Sequence, residues 1–551
     1  MNLLRYAHTV RHLRPGQVFG RLWRGLYHPR PTLREAPRLR NLARGWQLGC
    51  PRTASMVAPD TFCFLNATGQ LRTARDWDDP DRGRLWRYHL HYFDDLNAAN
   101  AEVREQWHRA LIARWVRENG PGLGTAWEPY PTSLRIVNWC KWAMACRGRG
   151  GVGLDGSALA SLATQARWLR KRLERHLLGN HLWANAKALA FAGAVFTGEE
   201  PTAWLHAGFG LLERELDEQI LSDGGHFERS PMYHAIVLED LLDLINLSYS
   251  TPECFAAALV GRFGAAASRM LRWLQVMTHP DGRIALFNDA AFGVAPAVED
   301  LAAYARRLAV SAPAGALGAL EVLPDSGYVR MQNERAVLIC DVAPIGPDHL
   351  PAHAHADTLA FELSLDGQRV LVNGGTSTYE PGAEREHQRA TRAHNTVEVD
   401  GRDSSEVWGA FRVARRARPF GVRWGTEDGR PWLEGSHDGY RRLPGRVIHR
   451  RRWLLEPGGL RIEDALTGRA HGAVAALHLH PRVRAEASGQ DGATVLLHLG
   501  NGTRARLSFE GARGVSLERA AWHPEFGLSA DCTVLRVALH GGLLRTHLSW
   551  A

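Results

Sequence analysis

Three short clusters carry residue types that could move protons beside a carboxylate. The first is Gly179-Asn180-His181, between two helical stretches, where an amide and an imidazole could project from a helix start into a cleft. A plainer role for Asn180 is to cap that helix. The second is Phe227-Glu228-Arg229-Ser230-Pro231-Met232-Tyr233-His234. Its Ser-Pro pair predicts an N-cap followed by a first helical turn, which carries Tyr233 at the positive end of the helix dipole. The third is His353-Ala354-His355-Ala356-Asp357, ahead of the strand-like run LAFELSLDG, and Asn373 and His394 follow further on. An HxH pair can bind a metal or divide the work of ligand and base, although with 26 histidines in the chain such pairs also arise by chance.

Amide, phenol, imidazole and guanidinium together suit abstraction of a carbon-bound proton next to a carboxylate. Hydrogen bonds neutralise the carboxylate, a base takes the proton, and an acid protonates the leaving oxygen. Glycoside hydrolysis would need paired carboxylates, for which Glu128, Glu228 and Asp289 are the candidates.

Positioning these groups takes two kinds of architecture. From about residue 85 to 307 apolar residues recur at three- and four-residue spacing, as in HLWANAKALAFAGAVF and MYHAIVLEDLLDLINLSY, and predict paired helices. An Ala/Gly/Pro stretch at 312–318 ends that pattern. Beyond it the period falls to two, in runs such as LAFELSLDGQRVLVN, RVIHRRRWLLEP and TVLRVALHGG, which predict antiparallel strands. The expected division is a lead segment at 1–80, a helical toroid at 81–315 and a sheet domain at 316–551.

The net charge of +9 favours polyanions, but no nucleic-acid-binding motif accompanies it. Seven cysteines with no CxxC argue against a disulfide framework and fit a reducing compartment. No apolar run is long enough to cross a membrane, and the first residues lack the apolar stretch of a secretory signal. The expectation is a cytoplasmic start, with periplasmic or envelope-associated action the alternative.

The chain resembles the heparinase II/III-like polysaccharide lyases. The resemblance rests on Leu85–Phe93, Trp127–Arg135, Gly179–His181, Phe227–His234, His353–Asp357 and His394–Gly401, in order over nearly the whole length. The stretch from Ser404 to Pro419 is similar to the branch found in bacterial exopolysaccharide gene clusters. The resemblance implies a multidomain α+β protein, an incomplete (α/α) toroid followed by layered antiparallel sheets with the cleft between them. It implies β-elimination on a uronic-acid-containing polysaccharide, an exopolysaccharide or glycosaminoglycan. A glycoside hydrolase or a non-catalytic glycan-binding protein of exopolysaccharide assembly is the alternative on the same scaffold.

Carried over by residue, Asn180 resembles the group that neutralises the uronate, with His181 beside it. Tyr233 resembles the catalytic acid, which for one substrate epimer is also the base, and His353 resembles the base on the other face. Trp127, Glu128, Tyr130, Arg135, Glu228, Arg229, Arg389 and Arg392 fall where the sugar would bind, and Arg385 is a further candidate for substrate anions; core packing is the alternative for Trp127 and Tyr130, and a solvated basic loop for Arg385, Arg389 and Arg392. His355, Asn373 and His394 match the ligands of one structural divalent metal, zinc or calcium. The family's usual third ligand is an aspartate, and the amide of Asn373 is a weaker donor.

Overall fold

The protein is described by a computed structural model over residues 3–488 and 493–550. Two helices, α1 (Leu3–Val10) and α2 (Pro15–Leu26), come first, then a small three-stranded antiparallel sheet within residues 56–70. The helical half comprises α3 (Arg84–Tyr92), α4 (Glu105–Glu118), α5 (Pro129–Gly148), α6 (Gly156–Lys171), α7 (Gly179–Val195), α8 (Glu199–Gln219), α9 (Pro231–Ser250), α10 (Ala257–Val276) and α11 (Val298–Arg307). It forms the incomplete toroid.

Local chemistry sets the helix starts. Asp155 accepts the Ala158 N–H at 2.8 Å before α6, and Ser230 accepts the Tyr233 N–H at 3.2 Å before α9, with Pro231 at its first position. Every residue of α7 except His181 is buried, so this helix runs through the middle of the half. It packs on α8 through two glycines. A Cβ on Gly193 would lie 2.7 Å from the Pro201 carbonyl, and one on Gly208 would lie 2.8 Å from the Ala186 carbonyl.

The sheet half begins at Leu320, beyond the Ala/Gly/Pro stretch. Five antiparallel strands between Leu320 and Leu371 form a meander. A four-stranded sheet runs Val397–Val399, Ala473–His478, Ala530–Leu539 and Ala512–Trp522 in spatial order. An eight-stranded sheet spans Pro419 to Trp550, and one core including Phe361, Val397, Trp453 and Leu535 joins all three. Alternation is clean along Ile448–Glu456, where His449, Arg451, Trp453 and Leu455 point inward. A short helix, α12 (Ala383–Arg389), interrupts the strands.

The halves are joined by both packing and charge. Trp273, Met277 and Phe287 pack against Tyr328, Ile339 and Ala360. Arg369 pairs with Asp281 at 2.7 Å, and His279 meets the buried Glu362 at 2.9 Å.

Candidate active site

Asn180 from α7, Tyr233 from α9 and His353 from the loop ahead of Phe361–Leu365 converge where the halves meet. The Tyr233 and His353 rings lie 4.0 Å apart between centroids, and Asn180 Nδ2 is 3.5 Å from His353 Nε2. Tyr233 is 9% exposed and His353 8%. Beside them the Tyr379 hydroxyl is 3.1 Å from that of Tyr233, and the exposed ring of Phe411 packs on Tyr379.

Asp289 anchors the group. Its loop follows α10, and its carboxylate meets His353 Nδ1 at 2.9 Å, His355 Nε2 at 2.8 Å and both terminal nitrogens of Arg385 at 2.5 and 2.7 Å. Burial alone would raise this carboxyl group, but Arg385, His353 and His355 outweigh it and hold it well below the usual range. A carboxylate on Nδ1 fixes the imidazole tautomer, so a neutral His353 turns its Nε2 lone pair toward Asn180. Burial pushes the Tyr233 and Tyr379 phenols well above their ordinary value.

Asn180 does not cap its helix. Leu178 holds the cap position, and left-handed backbone at Leu178 and Gly179 (φ 65° and 55°) starts the helix one residue before Asn180. Asn180 instead donates from its backbone N–H at 3.0 Å and from Nδ2 at 3.1 and 3.2 Å to the carboxylate of Glu228. Glu228 Oε2 is also 3.4 Å from His353 Nε2. His181 meets Glu174 at 3.2 Å and packs on Tyr130 at 4.5 Å. Burial would lower His181, but Glu174 and Glu228 outweigh it and raise it.

A cavity of about 250 Å³ leads from Tyr130 and Asn180 into the helical half, past Asn138 to Lys141, Lys187, Asp240 and Asp243. Lys187 binds Asp240 at 2.5 Å and Asp243 at 2.6 Å, and Lys141 also pairs with Asp243. Glu128 lies at the toroid rim, bonded to Arg84 at 2.6 Å and to the Tyr88 hydroxyl.

Several expected sugar contacts have other duties. Trp127 is core: its indole donates to the Asn119 carbonyl at 3.2 Å and packs against Trp115 and Trp168. Arg135 is fully buried on the inner face of α5, 3.9 Å over the Trp115 ring and 2.9 Å from Gln165. Arg389 is spent on the carbonyls of Ala354 and Gly409, and Arg229 on those of Ser326 and Asp325. Arg385 clamps Asp289, so it is not free for a substrate anion. Arg392 is exposed.

The set expected to hold a metal is only partly suited to one. His355 gives Nε2 to Asp289, while His394 Nδ1 lies 3.2 Å from Asn373 Oδ1. His355 Nδ1, His394 Nε2 and Asn373 Nδ2 are buried without a hydrogen-bond partner. Two imidazole nitrogens are therefore available, and burial lowers both histidines, His355 to about 4. The third position offers an amide, and no group of three His, Cys, Asp or Glu gathers to hold an ion among the described residues. The donor set does not fit a firmly held divalent cation.

Tyr379 and Phe411 escaped the sequence reading because neither stands in a motif. Asp289 was visible only as a possible hydrolytic carboxylate. Its role depends on His353 and His355, which lie more than sixty residues away in sequence.

The heparinase II/III N-terminus profile matches residues 156–306, and the heparinase II/III-like C-terminal profile matches 316–550. The chain is 28% identical over 464 residues to FtsZ-localized protein C of Caulobacter vibrioides, covering 78% of this chain and 76% of that one. It is 23% identical over 368 residues to a heparin-sulfate lyase of Bacteroides stercoris, covering 62% of this chain and 51% of the relative. The crystal structure of heparinase III superposes with a TM-score of 0.68 at 17% identity, over 86% of this chain and 79% of that one. That of the heparan sulfate lyase from Pedobacter heparinus gives 0.57 at 18%, over 88% and 79%. At such identities the superpositions speak for the fold, a toroid followed by sheets. With both profiles matching in order across the two halves, the chain belongs to the heparinase II/III-like family.

Proposed function

We propose that this protein is a polysaccharide lyase that cleaves a uronic-acid-containing acidic polysaccharide by β-elimination. The observation that carries the reading is the imidazole of His353, anchored through Nδ1 by Asp289 and facing the Asn180 amide, with the Tyr233 ring packed against it. A uronate carboxylate takes the amide hydrogen bonds that Asn180 now gives to Glu228. So neutralised, it makes the neighbouring C5–H acidic enough for His353 Nε2 to remove the proton. The C4–O4 bond breaks, C4=C5 forms, and the Tyr233 hydroxyl protonates the departing oxygen. A phenol raised by burial stays protonated near neutral pH, which supports Tyr233 as acid and leaves the base to His353. No step is routed through a metal.

Hydrolysis fits less well. Glu228 and Asp289 flank the same imidazole, but Asp289 is locked as an anion by Arg385 and cannot trade protons with water or a leaving group. The substrate named for the Bacteroides and Pedobacter relatives is theirs. For this chain the reading takes the substrate to be a uronate, in a glycosaminoglycan or an exopolysaccharide.

One observation favours a second reading, glycan binding without turnover. Glu228 takes the amide hydrogens of Asn180 and lies 3.4 Å from His353 Nε2, so it covers the groups that elimination would need. One experiment separates the two. Purified protein is incubated with a panel of acidic polysaccharides, following the ultraviolet absorbance of the new double bond and the fragment masses. The lyase reading expects an unsaturated product from at least one polymer. Binding with no such product from any of them would establish the second.

A further inference from the structure

The leading helices are amphipathic in the wrong sense for a protein surrounded by water. α2 turns Gln17, Gly20 and Arg24 toward the body. Gln17 Nε2 donates to the His349 carbonyl at 3.1 Å, Arg24 lies 2.7 Å from His176 Nε2, and a Cβ on Gly20 would sit 2.9 Å from that of His176. Its opposite face carries Val18, Phe19, Leu22, Trp23 and Leu26, with Phe19 67%, Leu22 64% and Leu26 80% exposed. α1 repeats the inversion. Thr9 accepts from the Trp408 indole at 3.1 Å, while Leu3, Leu4 and Val10 face outward and no residue of the helix is buried. Along α2 these side chains, at positions 18, 19, 22, 23 and 26, form one apolar stripe, and a stripe left open to water marks a surface that something covers.

Charge selects what covers it. Residues 3–34 contain seven arginines and no acidic residue, the first being Glu35. Arg11, Arg21 and Arg30 are exposed among the apolar side chains. Phe19, Trp23 and Tyr27 stack along α2 at 6.4 and 5.3 Å, amphipathic rings of the kind that settle at the level of lipid headgroups. A second copy docked face to face would bring arginine against arginine. An anionic bilayer supplies acyl chains for the leucines and phosphates for the guanidiniums. We propose that α1 and α2 form an interfacial anchor that docks this protein on anionic phospholipid membrane, their apolar face in the headgroup–acyl boundary and the rest of the molecule outside it. The inference does not depend on the lyase reading.

The test is cosedimentation of the full chain with vesicles of phosphatidylcholine alone and of phosphatidylcholine mixed with phosphatidylglycerol. Pelleting is expected with the anionic vesicles, little with the neutral ones, and release as salt rises. Leu22→Glu with Trp23→Glu should weaken binding by at least about a hundredfold. Arg11→Ala and Arg21→Ala should each weaken it roughly fivefold. All four residues are exposed, so melting should be unchanged. No pelleting with anionic vesicles, or equal pelleting of the glutamate variant, overturns the proposal. So does a lipid-free dimer in sedimentation velocity that the glutamate variant dissolves, which would assign the face to a second copy.

Discussion

At the scale of single residues, chemistry rests on two ring atoms and their anchors. Tyr233→Phe removes one hydroxyl whose partner is the Tyr379 hydroxyl. Turnover should fall by roughly 10²–10⁴-fold, while stability changes by no more than about 1 kcal/mol. Steady-state rates and a thermal melt check both, and retained activity would remove Tyr233 as the acid. Asp289→Asn should cost roughly 10²–10⁴ in kcat by releasing the tautomer of His353. It also leaves Arg385 buried without a counter-charge, at about 3–5 kcal/mol, read from denaturant unfolding. The Glu174–His181 pair makes a pH prediction. His181 is raised, so its share of stability is full below about pH 6.5 and disappears as pH climbs through the raised value. Glu174 is lowered by His181 against its burial, so its share is present above about pH 4.5 and is lost on acidification. The melting-temperature gap between the native protein and His181→Gln should therefore be widest between those limits. A pH-independent gap would dissolve the pair.

At the scale of elements, local signals were readable where they were covalent or periodic. Ser230-Pro231 announced the start of α9 and the turn that carries Tyr233, and the change from helical to alternating period bracketed the gap between Arg307 and Leu320. What stayed hidden was direction. Nothing in the spacing of Arg135 says that it turns inward, because α5 is buried on nearly all sides and its apolar pattern has no exposed edge to set the phase; Trp127 sits in a single 3₁₀ turn ahead of α5, too short to show a period. The arginines of α12 were legible as charge but not as partners, since Ala354, Gly409 and Asp289 reach them only through tertiary folding. The strand ends near Asn373 give a direct test of the missing ligand. Chelator should leave the melting temperature of the native protein unchanged. Asn373→Asp should acquire a zinc-dependent rise, because a carboxylate completes two imidazoles. A chelator-sensitive native protein would show that the amide suffices.

At the scale of the molecule, the two halves share buried charge as well as apolar surface. Arg369–Asp281, His279–Glu362 and the Asp289 cluster all cross the boundary, so separating the halves would strand several ions. Calorimetry should therefore record one cooperative transition. Two resolved transitions would mean that the contacts at the boundary are energetically minor.

The placement of Asp289 ties the chemistry to the docking of the two halves. The carboxylate belongs to the helical half and the imidazole it steadies belongs to the sheet half, so the proposed base is oriented only while the two halves are docked. Neither half would carry a poised imidazole by itself, so the proposed chemistry would be assembled by the docking of one half on the other.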